Sequence, residues 1–288
     1  TTPTFVHSPS VVLGDLIVEA AASDVNGDGR ADVVVPVFTS SVIAVLINST
    51  APGAATASFA MPVEVPTSQT PGGISLGDFN GDGAADLATT DSGIDLVAVH
   101  LNTCAVACTT TEFSSPTAFA AEDEPLAIAT SDFNGDGLED CVVANGVADT
   151  VSIFLSTTAP GAAVPSFSPG VSFAAGDEPA SIVPVDINLD GRADLATVNF
   201  QSDKISVLMN LTAPGATSPT FDALVELPVG NAPTEIAAAD LNGDGWLDVL
   251  ALSPQAPLQL YLNAHQESLT ATLKFTTTQV PTVSVTSS

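Results

Sequence analysis

Positive charge is nearly missing from this chain. Its 288 residues hold 4 Lys plus Arg against 33 Asp plus Glu, a formal charge of −29. Four scattered cations cannot neutralise a phosphate track, so nucleic-acid binding is excluded. Aromatic residues make up 5%, with 1 Trp and 1 Tyr; a carbohydrate-active site would need convergent aromatics that this composition hardly supplies. Cysteine is scarce, at 3 residues, and no zinc cluster, Gly-x-Ser-x-Gly elbow or phosphate loop occurs. The histidines are also 3, His7, His100 and His265. None recurs, and His100 stands in a strand where related positions carry Leu or Phe, so it reads as packing. No apolar run approaches the ~18 residues of a membrane span, so no membrane insertion is expected. A signal peptide is missing too, and the chain starts inside a repeat; the expectation is a processed or truncated start.

What is present is periodic. Asp24-Val25-Asn26-Gly27-Asp28-Gly29-Arg30-Ala31-Asp32 returns at Asp78 to Asp86, Asp132 to Asp140, Asp186 to Asp194 and Asp240 to Asp248, each step being 54 residues. A fixed period of this size means stacked supersecondary units. Two more ladders keep the frame. Pro71, Pro125, Pro179 and Pro233 lie seven residues before their loops, and Phe5, Phe59, Phe113, Phe167, Phe221 and Phe275 are also 54 apart. The Phe ladder reads as packing between units rather than ligand stacking.

The nonapeptide has the chemistry of a hard-cation loop. Calcium takes six to eight oxygens at roughly 2.3–2.6 Å. Positions 1, 3 and 5 supply them from short side chains: Asp24, Asn26 and Asp28; Asp78, Asn80 and Asp82; Asp132, Asn134 and Asp136; Asp186, Asn188 and Asp190; Asp240, Asn242 and Asp244. Glycine at position 6 allows the sharp turn. Position 7 offers a backbone carbonyl, from Arg30, Ala84, Leu138, Arg192 and Trp246. The carboxylate at position 9 closes the shell: Asp32, Asp86, Asp140, Asp194 and Asp248. The opening half matches an EF-hand loop, but the position-12 glutamate is missing and apolar strand residues such as Val33-Val34-Val35 follow. The fourth copy has Leu189 where the others have Gly at position 4; that position supplies no ligand, so the site is kept. The expected cofactor is about five Ca²⁺ ions, which would bring the charge from −29 to −19. The folded state should then depend on calcium.

An Asp-Phe-Asn-Gly-Asp-Gly-x-x-Asp loop followed by a short apolar strand resembles the FG-GAP/VCBS repeat, as in the N-terminal β-propeller of integrin α chains. The resemblance covers all five units. It implies a propeller whose blades carry calcium between their first two strands, and it does not imply an enzyme.

Short strands with Pro/Gly punctuation and no helical periodicity give an all-β class on the residues alone. In the third unit, Ile128 to Ser131 leads into the loop, Cys141 to Ala144 is the second strand, Val151 to Leu155 the third, and Ser166-Phe167-Ser168 opens an outer one. The expected fold is a β-propeller of five blades of four antiparallel strands, or part of a seven-bladed ring. Residues 1–275 form the propeller with a spare outer strand, because six Phe-bearing segments serve five blades; 276–288 form a tail or a linker to a further domain. Cys104 and Cys108 flank a short loop and are spaced to close a disulfide, the alternative being two surface thiols; Cys141 reads as a buried filler. The sequons at Asn48 and Asn210 mark an outer turn and are candidates for glycosylation.

These features favour a non-catalytic, calcium-binding, secreted module at the cell surface or outside it. It would act in adhesion or as a scaffold, with a protein or surface glycan as partner. The second reading is a subunit of an extracellular fibre, polymerising head to tail by strand exchange. The third is a secreted carbohydrate-active enzyme or lectin.

Overall fold

The computed structural model describes residues 13, 19–67, 70–104, 108, 111–222, 224–263 and 275–277. Their regular structure is β apart from one 3₁₀ turn at Phe38–Ser40. The strands build five antiparallel sheets of four. The first holds β1 (Ala21–Ser23), β2 (Asp32–Val37), β3 (Val42–Leu46) and β4 (Val63–Pro66), and the second β5 (Pro71–Gly77), β6 (Asp86–Asp91), β7 (Leu96–His100) and β8 (Thr117–Ala120). The third holds β9 (Pro125–Ser131), β10 (Asp140–Asn145), β11 (Thr150–Phe154) and β12 (Val171–Ala174). The fourth holds β13 (Pro179–Val185), β14 (Asp194–Asn199), β15 (Lys204–Leu208) and β16 (Val225–Pro228), and the fifth β17 (Glu235–Ala239), β18 (Asp248–Leu252), β19 (Gln259–Asn263) and β20 (Phe275–Thr277). The all-β class and the five four-stranded blades expected from the 54-residue period are thus found.

Local chemistry explains the strand limits. Pro71, Pro125 and Pro179 open β5, β9 and β13, where a missing N–H costs no central ladder bond. The second strands are buried along almost their whole length, which is why they read as continuous apolar or small runs rather than alternating ones. The fourth strands β8, β12 and β16 alternate between half-buried and exposed, as strands with one wet face do. Ser41, Asp95, Asp149 and Asp203 take positive φ in the tight turn between second and third strands. Short polar side chains tolerate that left-handed geometry.

The outer strands sit differently from the sequence expectation. Phe59, Phe113, Phe167 and Phe221 each make a single bridge, to Asn48, Asn102, Ser156 and Asn210. The fourth strand proper begins four residues later. In the fifth sheet the bridge lengthens into β20, which pairs Phe275 with Asn263 and Thr277 with Tyr261. The C-terminal Phe-bearing segment is therefore the fourth strand of the fifth sheet. Phe5, His7, His265 and the tail beyond Thr277 lie outside the described residues.

The chain divides into two compact units, Thr1–Ala120 with Ser156–Phe167, and Ala121–Leu155 with Ser168–Ser288. In the first unit, Val25, Val34, Ile43, Val45, Ile74 and Leu87 form a shared core with Phe113 packed against it. In the second, Phe133, Val142, Ile153, Ile182 and Leu195 form one cluster and Ile187, Val198, Val207, Val249 and Tyr261 another. The Phe ladder packs neighbouring repeats edge to face. Phe167 meets Phe79 at 5.7 Å and Phe119 at 5.1 Å in the first unit; Phe221 meets Phe133 at 6.2 Å and Phe173 at 5.2 Å in the second. His100 is buried in β7, its Nδ1 3.1 Å from the Ser114 carbonyl oxygen. Cys141 is buried and free.

Candidate metal loops

Each nonapeptide links the first and second strands of its sheet and folds around its own side chains. The position-1 carboxylate accepts two backbone N–H groups, from positions 5 and 6: in the third loop Asp136 N and Gly137 N reach Asp132 at 3.1 and 2.8 Å. The position-3 amide oxygen accepts from position 5, Asp136 N to Asn134 Oδ1 at 3.2 Å. The position-5 carboxylate accepts from the position-7 N–H, Leu138 N to Asp136 Oδ1 at 2.9 Å, and from the Asn134 amide at 2.9 Å. The same bonds recur in the other four loops. Glycine at position 6 takes φ between 85° and 88° in all five. Position 4 is also left-handed, and here the structure adds to the sequence reading: Leu189 holds φ 57° where the other loops use glycine.

Position 9 is the buried anchor. Asp32, Asp86, Asp140, Asp194 and Asp248 are each 0% exposed. Asp86 accepts Phe79 N at 2.9 Å and Asn102 N at 2.7 Å; Asp194 accepts Ile187 N at 3.1 Å and Asn210 N at 2.7 Å. One carboxylate thereby ties the loop entry to the end of the third strand. Burial pushes the Asp86 carboxyl up to about 7 and Asp194 up to about 6, against those backbone N–H bonds and with the charges at positions 5 and 1 pushing the same way. Asp32 is raised for the same reasons.

Positions 1, 3 and 5 are half-buried in the first loop, apart from Asn26, which is buried, and lie fully on the surface in the fifth. Among the described residues no three carboxylate, imidazole or thiolate groups are drawn together as a ready metal cluster; the loop acids engage the loop's own N–H groups instead. The donor chemistry still fits a hard cation. Every candidate ligand is oxygen, and a carboxylate or amide oxygen that accepts one N–H keeps a second lone pair. The charges at positions 1 and 5 also bear on position 9 in the first, second and fourth loops. Two loops carry an internal cation as well: Arg30 pairs with Asp28 and Arg192 with Asp190, each also donating through Nε to the carbonyl of Asn48 or Asn210 at 2.8 Å. Positions 7 of the others, Ala84, Leu138 and Trp246, bring no charge.

Cys104 and Cys108 are joined by a disulfide. It borders a cleft of about 300 Å³ lined by Asp24, Asn26, Asp82, Asn102 and Thr103. The exposure expected of the second sequon is corrected. Asn210 is 0% exposed, and its Nδ2 donates to the Phe133 and Ala193 carbonyls at 2.9 and 3.0 Å. That amide is a structural bridge, closed to a glycosyltransferase in the folded chain. Asn48 is only half-buried, with its Nδ2 on the Ala31 carbonyl at 2.9 Å.

Sequence reasoning marked the outer turn but missed the asparagine bridge that precedes it. The turn motif Thr-Ala-Pro-Gly-Ala recurs at 50–54, 158–162 and 212–216, and the second repeat breaks it with Thr103-Cys104.

No curated protein matches the chain. A model of the FG-GAP-like repeat matches residues 24–89 and 132–197, each stretch running from a nonapeptide loop into the second strand of the following sheet. Over these two stretches the chain is similar to FG-GAP-like repeats, and the same loop bonds are present in all five of its units.

Proposed function

We propose that this β-propeller-type repeat protein is a non-catalytic, calcium-stiffened module that works outside the cell in adhesion or as a scaffold. The observation that supports it most is the fivefold recurrence of one all-oxygen loop with a buried carboxylate at its base. Asp132, Asn134, Asp136 and Asp140, with the Leu138 carbonyl, would hold the ion in the third loop, and the corresponding residues in the other four. A bound Ca²⁺ would supply positive charge against three carboxylates that otherwise repel one another. The chain's part is to curl the loop through its two left-handed positions, orient the side chains by backbone N–H bonds, and fix the base through position 9. The disulfide and the low cation count suit an oxidising, calcium-rich exterior. Among the described residues no helix is long and apolar enough to cross a membrane. The partner on this reading is a protein or surface glycan.

Calorimetric titration and thermal melts test the reading. About five ions should bind, and each site held at 100 times its dissociation constant should add about 2.7 kcal/mol of stability. A melt unchanged by excess chelator, with no heat of calcium binding, refutes it.

A further inference from the structure

Two of the chain's four cations stand at the same place in the repeat. Arg30 and Arg192 are both position 7 of a nonapeptide, in the first and fourth loops. Each guanidinium has two partners inside its own repeat. Nε donates to the carbonyl just past the third strand, Asn48 or Asn210, at 2.8 Å, and Nη2 pairs with the position-5 carboxylate, Asp28 or Asp190. Asp28 Oδ2 thereby takes the guanidinium as well as the Asn26 amide, while its Oδ1 takes Arg30 N. Asp190 is held alike. In the second and third loops position 7 is Ala84 or Leu138, and its side chain cannot replace the guanidinium.

The loops are therefore unequal in charge. Counting Asp, Glu and Arg, the nonapeptide carries −2 in the first and fourth loops, −3 in the second and fifth, and −4 in the third, where Glu139 adds a carboxylate at position 8. Ligand charge and rigidity are what tune a hard-cation loop over orders of magnitude. The arginine acts on both counts. It engages an oxygen that a metal would need, and its charge repels a second cation at short range. Without metal, the same ion pair relieves the repulsion among positions 1, 5 and 9. The paired carboxylates Asp28 and Asp190 are 17% and 28% exposed, so solvent screens the pair and keeps its effect modest.

We propose that Arg30 and Arg192 are resident counter-cations, which hold the first and fourth loops in shape without metal and make them the last to take calcium. The inference rests on the calcium reading above and divides its five sites into classes, the third loop filling first and the two arginine loops last. Each compact unit holds one arginine loop. The chain thus takes up calcium over a wider range of concentration than five equal sites would, and in each unit one loop keeps its shape at the low end of that range.

The test is calorimetric titration of the full chain with calcium chloride, paired with thermal melts in chelator. The double variant Arg30→Met, Arg192→Met keeps the apolar stems and removes the charge. Two sites should tighten by about tenfold, and the chelated melt should fall. Ala84→Arg grafts the cation onto the second loop. Asp82 and Asn102 are there the counterparts of Asp28 and Asn48, and the cleft of about 300 Å³ beside them leaves room for the side chain. One site should weaken by about the same factor while the chelated melt rises. Lys204→Met removes a cation that pairs with Glu226 between β15 and β16; every calcium site should keep its affinity, which excludes net charge as the cause. An isotherm unchanged in the double variant, a chelated melt that does not fall, or equal tightening in Lys204→Met would overturn the proposal and leave the calcium reading standing. No heat of calcium binding in any of the proteins, wild type included, would refute the reading and the proposal together.

Discussion

The third and fifth loops share one nonapeptide chemistry and differ in almost everything around it. Both curl through the same bonds, position 1 accepting from positions 5 and 6 and position 9 from position 2. In the third loop Phe133 and Asn134 are buried under the Gly215 turn and the Asn210 amide; in the fifth, Leu241 and Asn242 face solvent. Loop shape is therefore local, written by Asp, Asn and Gly at fixed offsets, whereas burial comes from the next repeat. The two properties can be separated by mutation.

The largest effect should come from the buried anchor. Asp194→Ala strands two backbone donors, Ile187 N and Asn210 N, in a dry site. Each unsatisfied buried N–H costs about 1–3 kcal/mol, so the loss should be about 2–6 kcal/mol. Asp240→Ala, at the exposed position 1 of the fifth loop, leaves its N–H groups to water and should cost about 1 kcal/mol or less in metal-free protein. Urea unfolding in chelator measures both. Equal losses would break the distinction between local shape and borrowed burial.

Much of this was legible beforehand, and the parts that were not have a common cause. The period, the sheets, the curled Asp/Asn/Gly loops and the disulfide pair follow from residues close in sequence. Position 9 read as a ligand only, because its bond to the third-strand end spans 16 residues and leaves no local mark. The bond from Asn134 Nδ2 to the Ala216 carbonyl was invisible for the same reason: the two residues are 82 apart. Asn210 was misread because the motif that makes a sequon also makes a bridge whose Oδ1 accepts Thr212 N at 2.8 Å. The outer strand was placed four residues early because the Phe ladder is the louder signal, although Phe marks the bridge and not the strand.

Acidity should sharpen the comparison next. Asp86 at about 7 and Asp194 at about 6 lie above the ordinary carboxylate value of 3.8, and Asp32 is shifted the same way. In metal-free protein these groups keep protons that the unfolded chain has given up. Their contribution is full below pH ~4 and is lost as pH rises through about 6 and 7. Burial lowers His100 from 6.5, which acts oppositely and removes stability as pH falls below that value. With three carboxylates against one imidazole, the chelated protein should melt higher at pH ~5 than at pH ~8. Calcium should reverse the order, since the ion replaces the protons. Melts at both pH values, with and without chelator, give the four numbers; the same order in both media would show that position 9 does not face the ion.

The smallest effect tests the loop's shape alone. Position 4 is left-handed in every loop, with φ from 57° to 78°, and four of the five use glycine there. Leu189 accepts the conformation without the residue suited to it. A non-glycine residue in that region pays about 1–2 kcal/mol, and glycine gives back about 0.5–1 kcal/mol through the freedom it adds to the unfolded chain. Leu189 is 49% exposed, so its side chain loses little burial when removed. Leu189→Gly should therefore stabilise the chain by about 0.5 kcal/mol, and Gly135→Leu should destabilise it by about the same amount. Denaturant midpoints of the two variants decide the matter. If both changes destabilise, Leu189 is held by a contact that outweighs its backbone strain, and the fourth loop is shaped by its surroundings rather than by its own nine residues.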